Sequence, residues 1–431
     1  MNMRNTSLLK QLFLTPKSVV MQKSFTTRSL HVPFPKGDPY LALDMPVYES
    51  VAFGFESSEE IASCFRGDKS AHVYSRTSNP TVEYFEIKMR MLTGARQSLA
   101  LSSGMAAISN AILALCKAGD NIISGRNLFS HTYFLFTQSL SNYGLETRFA
   151  DTRKAEEVEK LIDNNTRLIY LETVTNPQLE ISDLEQLAAI ANRHNLLLVT
   201  DSTLTPPVIF RSAAHGVHID VMSTTKFISG GGTSFGGVIL DNGLYDWSKN
   251  PNLRVLSDQY GKDAFIAALR KNYYRHLGAP MTAHTAHYQI MGLDILELRL
   301  NRCYENCMAL GEYLSSHPAV KKVSYPGLKI SEDYALAMKQ FSGKPGAIMS
   351  FDLESQQACF QFMDRLQFIR RATNLNDNKS LIIHPHSTIY ADFSEDERAV
   401  MNIRNTMMRL SVGIESAADL IDDIEQALKA I

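Results

Sequence analysis

Short apolar runs alternate with helical patterns along this chain, and that alternation restricts the fold more than any other feature. "NIIS" (121–124), "RLIYLE" (167–172), "LLLVTD" (196–201) and "DVMST" (220–224) are brief and largely apolar. Strands covered on both faces have this composition. Between them lie helical stretches: "NPTVEYFEIKMRMLTG" (79–94), "GMAAISNAILALCKAG" (104–119) and "SDLEQLAAIANRHN" (182–195). In the last, Ser182 and Glu185 have the spacing of a capping box. The repeat of strand and helix predicts a largely parallel α/β sheet. After about residue 280 the pattern changes. Long helices at 293–317 and 418–431 flank candidate strands at 347–353 and 407–413. The expected plan is an N-terminal extension (1–37), an arm (38–68), a large α/β domain (69–280) and a smaller C-terminal α+β domain (281–431).

Composition removes several function classes. The 431 residues are 45% apolar and 20% charged, enough for a sizeable core. A formal net charge of −2 offers no electrostatic case for nucleic acid or an anionic membrane as partner. No apolar run approaches the roughly 20 residues of a transmembrane helix. Five scattered cysteines fit a reducing compartment, hence the cytoplasm. Cys303 and Cys307 lie one helical turn apart, but two ligands alone make a weak site, so helix packing is expected and no metal. The first 37 residues hold six Lys or Arg and no acid. That is the look of an organelle transit segment, and equally of a plain disordered extension.

Ligands of open α/β sheets bind beyond the carboxyl ends of the strands, so polar residues there are the candidates. "LLLVTD" ends in Asp201, a carboxylate that is costly to bury without a cation, although a cap or turn explains it as well. "DVMST" runs into Lys226, with Ser223 and Thr225 able to donate to an anion. No acid lies between Asp220 and Asp241. Such surroundings lower a lysine's pKa and make its amine nucleophilic, although a solvated lysine is the commoner fate. In "LSSGMAAISN", Ser103, Gly104 and Met105 would open a helix with free N–H groups, a ready anion site. The glycines after Lys226 are not a P-loop, because there the lysine follows the glycines. An imine-forming lysine, a carboxylate on a neighbouring strand and a phosphate cradle together are what pyridoxal phosphate requires.

From about Pro46 to the C-terminus the sequence resembles the cystathionine γ-synthase-like, or Cys/Met-metabolism, pyridoxal-phosphate enzymes. Within them it is most similar to those that act on O-acetylhomoserine with sulfide. "YSRTSNPT", "LSSGMAAISN", "ETVTNPQ", "STTK", "TKFISGGGTSFGGVILDNG" and "MRLSVG" carry the likeness, in order. The resemblance implies fold type I, with a large cofactor domain and a smaller C-terminal one. It implies that Lys226 holds the cofactor as a Schiff base and moves protons, and that Asp201 pairs with the pyridine nitrogen. Ser103, Gly104, Met105, Ser223 and Thr225 would hold the phosphate, and Asn176 the ring oxygen. Arg409 would clamp the substrate α-carboxylate, with Asn374 beside it. Tyr74 and Arg76 would reach the neighbouring subunit's phosphate, and Tyr48 of the arm would line its active site. A homotetramer built from active dimers follows.

The implied reaction is γ-replacement on an O-acyl homoserine by sulfide or a thiol. Four positions depart from the family. Phe129 stands for the tyrosine that usually stacks on the ring: the face is kept and the hydroxyl lost. Tyr74 or Tyr133 could replace that hydroxyl, or acetate could leave without help. His131 stands where methionine γ-lyases carry a cysteine, Asn374 where relatives often have serine, and Gly231 where they often have histidine. The alternatives are γ-elimination and a cofactor-binding protein without catalysis.

Overall fold

The computed structural model describes residues 22–34 and 38–430, built around two sheets. The larger comprises β1 (Gln97–Leu101), β2 (Asn121–Gly125), β3 (Glu146–Ala150), β4 (Thr166–Glu172), β5 (Leu197–Asp201), β6 (Ile219–Met222) and β7 (Gly237–Asp241). Their order is β1-β7-β6-β5-β4-β2-β3. β7 runs antiparallel to both its neighbours, and the others are parallel to one another. The four strands read from apolar runs are β2, β4, β5 and β6. β3 is an edge strand of sequence ETRFA, half in water, so its composition hides it. β7 is fully buried, but its apolar residues follow two glycines and offer too short a run to stand out.

Helix α1 (Pro80–Thr93) is bounded as its sequence dictates. Asn79 caps it by accepting from the Thr81 and Val82 N–H groups, Pro80 opens it, and Gly94 closes it at φ 80°. Helix α2 (Gly104–Leu115) is capped by Ser103. Helix α3 (Leu184–Arg193) corrects the capping box. The cap is Asp183, whose Oδ1 accepts from the Glu185 and Gln186 N–H groups, while the Ser182 hydroxyl bonds to Thr152 instead. The stretch read as one helix at 293–317 is divided at Ile295 between α4 (Ala283–Asp294) and α5 (Leu296–Ser316).

The second sheet comprises β8 (Lys322–Ser324), β9 (Ile348–Asp352), β10 (Arg370–Arg371), β11 (Leu381–Ile383) and β12 (Met407–Ser411), in the order β10-β11-β12-β9-β8. Helix α6 (Ala417–Leu428) packs against α5. One face of the large sheet buries Ile112, Phe136, Tyr170 and Trp247. The core on its other face runs on through Phe227 and Leu300 to Phe351 and Leu410 of the second sheet, so the two sheets share one apolar body. Cys303 and Cys307 lie inside that core as free thiols.

Part of the extension belongs to the fold. Residues 1–21 and 35–37 lie outside the described residues, but Phe25–Leu30 form a helix. Phe25 and Val32 are buried. Arg28, also buried, donates through Nη1 to the Met91 carbonyl at the end of α1 (3.0 Å). Ser29 bonds to Asp294 (2.8 Å). Reading 1–37 by charge alone overlooked these anchors. Among the described residues no helix is long and apolar enough to cross a membrane.

Candidate active site

β4 and β5 end side by side at Glu172 and Asp201, which are register partners. Asp201 Oδ1 accepts from the Thr203 N–H (2.9 Å) and hydroxyl (2.6 Å). The Thr203 oxygen in turn accepts from the Ser223 N–H (2.8 Å), tying Asp201 to the segment that carries Lys226. Thr203 was not singled out from sequence, although Asp-x-Thr after a strand is an Asx-turn signal. Burial pushes the Asp201 carboxyl up, and burial followed by Asp201 itself pushes Glu172 higher still. A buried carboxyl beside a half-buried one is an acceptor for a cationic group. Glu172, also missed from sequence, accepts from the Phe129 N–H (2.5 Å) and so places that ring.

The anion cradle forms where α2 meets the Lys226 segment. Ser103 Oγ accepts from the Ala106 N–H (3.0 Å), leaving the first N–H groups of α2 open. Gly104 must be glycine: a Cβ there would lie 2.6 Å from the Ser223 Cβ. Gly237 closes the same corner, since its Cβ would stand 2.0 Å from the Ser103 carbonyl oxygen. Gly237→Ala is therefore expected to destabilise the fold by about 2–3 kcal/mol, read as a lower urea midpoint, and to weaken cofactor binding with it. The Thr225 hydroxyl donates to the Gly236 carbonyl (3.2 Å) and accepts from the Gly236 N–H (3.0 Å), which braces the loop.

Lys226 Nζ donates to Asn374 Oδ1 (2.9 Å). Burial lowers its pKa to about 8, helped by the Arg409 guanidinium and opposed by Asp377. Arg409, on β12, is 2% exposed. It donates through Nη1 to Asn176 Oδ1 (3.1 Å) and through Nη2 to the Thr373 (3.2 Å) and Asn374 (3.1 Å) carbonyls. Its buried Nε has no protein partner, and burial lowers its pKa to about 10. A buried guanidinium with an unused donor beside a half-buried ammonium suits an anion. Arg409 also settles the Asn176 amide: the oxygen is taken, so the N–H donors face elsewhere.

Gly230, Gly231 and Gly232 follow Lys226 with φ of 79°, 135° and 65°. A Cβ on Gly231 would meet Asn378 Nδ2 at 2.9 Å, and one on Gly232 would meet Asp377 Oδ2 at 2.6 Å. Both the backbone angle and the close approach demand glycine here.

Other candidates lie apart. Tyr74 is 42% exposed, with the Arg76 guanidinium 5.5 Å over its ring. Arg76 is exposed and donates to the Arg275 carbonyl (2.8 Å). Tyr48 is exposed, held by its backbone to Thr81 and Asn79. His131 is exposed, its ring 5.1 Å from that of Phe129. Tyr133 stacks on Phe149 and bonds through its hydroxyl to Glu397 (3.3 Å).

The amine of Lys226, the carboxyl of Asp201 and a cradle whose wall a single Cβ at position 104 would fill suit pyridoxal phosphate. The model of the Cys/Met metabolism PLP-dependent enzymes matches residues 26–429. The chain belongs to this family. Three comparisons define its place in the family. An O-acetylhomoserine sulfhydrylase of Wolinella succinogenes is 44% identical, with TM-score 0.74 over 82% of this chain and 99% of that one. The structure of a putative O-acetylhomoserine (thiol)-lyase of Campylobacter jejuni, which carries a pyridoxyl-lysine phosphate, is 29% identical, with TM-score 0.88 over 94% of this chain and 100% of that one. The L-methionine γ-lyase of Pseudomonas putida is 33% identical over 94% of this chain and 97% of its own. As a member of the family, this chain is a PLP-dependent enzyme of type I fold.

Proposed function

We propose that the chain catalyses γ-replacement on O-acetylhomoserine, with sulfide or methanethiol as acceptor, giving homocysteine or methionine. The observation that carries the reading is Lys226, half-buried and low in pKa, beside the buried Arg409 with its unused Nε. The Wolinella and Campylobacter relatives support this substrate.

Bound pyridoxal phosphate supplies an electrophilic aldehyde carbon and a ring that takes up the electron pair left when Cα–H breaks. Lys226 Nζ would hold that carbon before substrate arrives. Asp201 would pair with the ring nitrogen and keep its proton in place. Ser103, Ser223 and the N–H groups of Gly104 and Met105 would hold the phosphate, with Thr225 bracing the loop. Asn176 would donate to the ring oxygen, and Phe129 would cover the ring face. Arg409 binds the substrate α-carboxylate and fixes Cα near Lys226. The free amine, close to neutral pH in its pKa, takes the Cα proton and later returns it. Acetate is a weak base and leaves without a phenol at position 129. A thiol leaving group would gain more from one, which favours replacement over γ-elimination.

A domain of residues 69–280 would carry the cofactor, and residues 281–431 would carry the carboxylate clamp. The exposed Tyr48, Tyr74 and Arg76 would complete a neighbouring subunit's site, in a homotetramer of two active dimers. The protein would act in the cytoplasm, or in an organelle if residues 1–37 address it there.

The test supplies purified protein with O-acetylhomoserine and sulfide, and separately with methionine alone. Homocysteine from the first assay is the expected product. Ketobutyrate and methanethiol from the second, with nothing from the first, would replace this reading by methionine γ-lyase activity.

A further inference from the structure

The loop from Asn374 to Asn378 packs on the glycine run after Lys226, and its hydrogen bonds have a chemical direction. Lys226 Nζ donates to Asn374 Oδ1 (2.9 Å). Asn374 Nδ2 donates to Asp377 Oδ2 (3.0 Å). Asp377 Oδ1 accepts from the Lys379 N–H (3.2 Å). An ionised carboxylate only accepts, and an ammonium only donates. With Asp377 on one side and Lys226 on the other, the Asn374 amide has one satisfactory orientation. Gly232 makes the arrangement possible, since a Cβ there would occupy the space of Asp377 Oδ2 and lie 2.9 Å from Asn374 Nδ2.

We propose that Asp377 is a positioning residue for Lys226: its carboxylate fixes the Asn374 amide so that the amide oxygen receives the Lys226 ammonium. The proposal rests on the reading of Lys226 as the lysine that carries the cofactor. The bond is available only while the amine is free, so it holds the lysine ready between its proton transfers. It also specifies a side chain with both an acceptor and a donor at position 374.

The charged groups facing Asp377 are Lys226, Arg299 of α5, and Lys379 in its own loop. Those facing Lys226 are Arg409 and Asp377. Removing the acid therefore withdraws the one negative charge that favours the Lys226 ammonium and leaves Arg409 unopposed. The lysine must then lose its proton at lower pH.

Asp377→Asn separates positioning from packing. It preserves the shape, and its oxygen stays on the Lys379 N–H. Its NH2 then faces the NH2 of Asn374. Asn374 turns over and presents a donor to the Lys226 ammonium. The isosteric change should thus be worse than truncation to alanine, the reverse of what packing predicts.

The experiment measures the pH dependence of Lys226 acetylation by acetic anhydride in the cofactor-free full chain, read by mass spectrometry of the peptide containing residue 226. The midpoint is expected to fall by about one pH unit in Asp377→Asn, the loss of roughly one charged hydrogen bond, and by less in Asp377→Ala. In the loaded enzyme kcat is expected to follow the same order, with KM nearly unchanged. A wild-type midpoint in Asp377→Asn, or a larger effect in Asp377→Ala, overturns the proposal. Should Asp377→Asn not fold, an unshifted midpoint in Asp377→Ala overturns it equally. Borohydride treatment of loaded wild type distinguishes the underlying reading: absence of a pyridoxyl adduct on Lys226 sinks that reading whatever the acetylation shows.

Discussion

Lys226→Ala is expected to lower kcat at least about 10³-fold and to leave no borohydride-fixed pyridoxyl adduct at position 226. A positioned acid–base group contributes about 10²–10⁴-fold by itself, and in the proposed function Lys226 would also be the covalent attachment point. Its surroundings explain why no neighbour can substitute. Its amine is half-buried and bonded to Asn374, and the adjacent cation, Arg409, stays protonated near neutral pH and cannot act as a base. The variant should keep its fold and its affinity for phosphate, because Ser103, Gly104 and Ser223, and not the lysine, would make the cradle. Near-wild-type turnover in this variant would remove Lys226 from the chemistry.

Arg409→Leu is expected to lower kcat/KM by about 10²–10⁴-fold. Two hydrogen bonds from a buried guanidinium to a carboxylate contribute roughly 1.5–3 kcal/mol each. Arg409 also serves Asn176 and the Thr373 and Asn374 carbonyls. The leucine variant would therefore disturb the ring-side amide as well as substrate binding. Arg409→Lys tells the two apart. Lysine keeps the charge but lacks the planar fork, so KM should rise about 10-fold or more while cofactor binding stays close to normal. A lysine variant with unchanged KM would place the carboxylate elsewhere.

Much of this architecture was legible in the chain. β2, β4, β5 and β6 are short apolar runs because both their faces are covered, and only helical layers around a parallel sheet provide that cover. Asp201 and Lys226 stood out because each follows such a strand, where a charge is expensive without a use. β3 was hidden because an edge strand is half solvated. The Ser182 cap was misassigned because Ser182 and Asp183 both satisfy the local rule, and Thr152, thirty residues away, takes the serine.

The early helix at Phe25–Leu30 shows the same limit from the other direction. Its charge pattern suggested an extension, and its partners Met91, Asp294 and Glu297 are invisible from its own sequence. Glu172 and Thr203 were overlooked because their roles depend on what the neighbouring strand presents. The hydrogen bonds of the Thr225 hydroxyl to Gly236, eleven residues on, are likewise set by the folded loop.

By itself, then, the sequence determined the α/β class, the lysine, the carboxylate on the adjacent strand and the glycine-opened helix, since these depend on local periodicity and strand ends. Tertiary structure decided how those groups are tuned. The loop at 374–378 reaches Lys226 from nearly 150 residues along the chain, by way of a second sheet that shares the core of the first. Only there do three glycines with positive φ meet Asp377 and Asn378. Only there does a buried arginine stand against a half-buried lysine. Burial and long-range hydrogen bonds set pKa values and side-chain direction, and neither is a property of a short stretch of sequence.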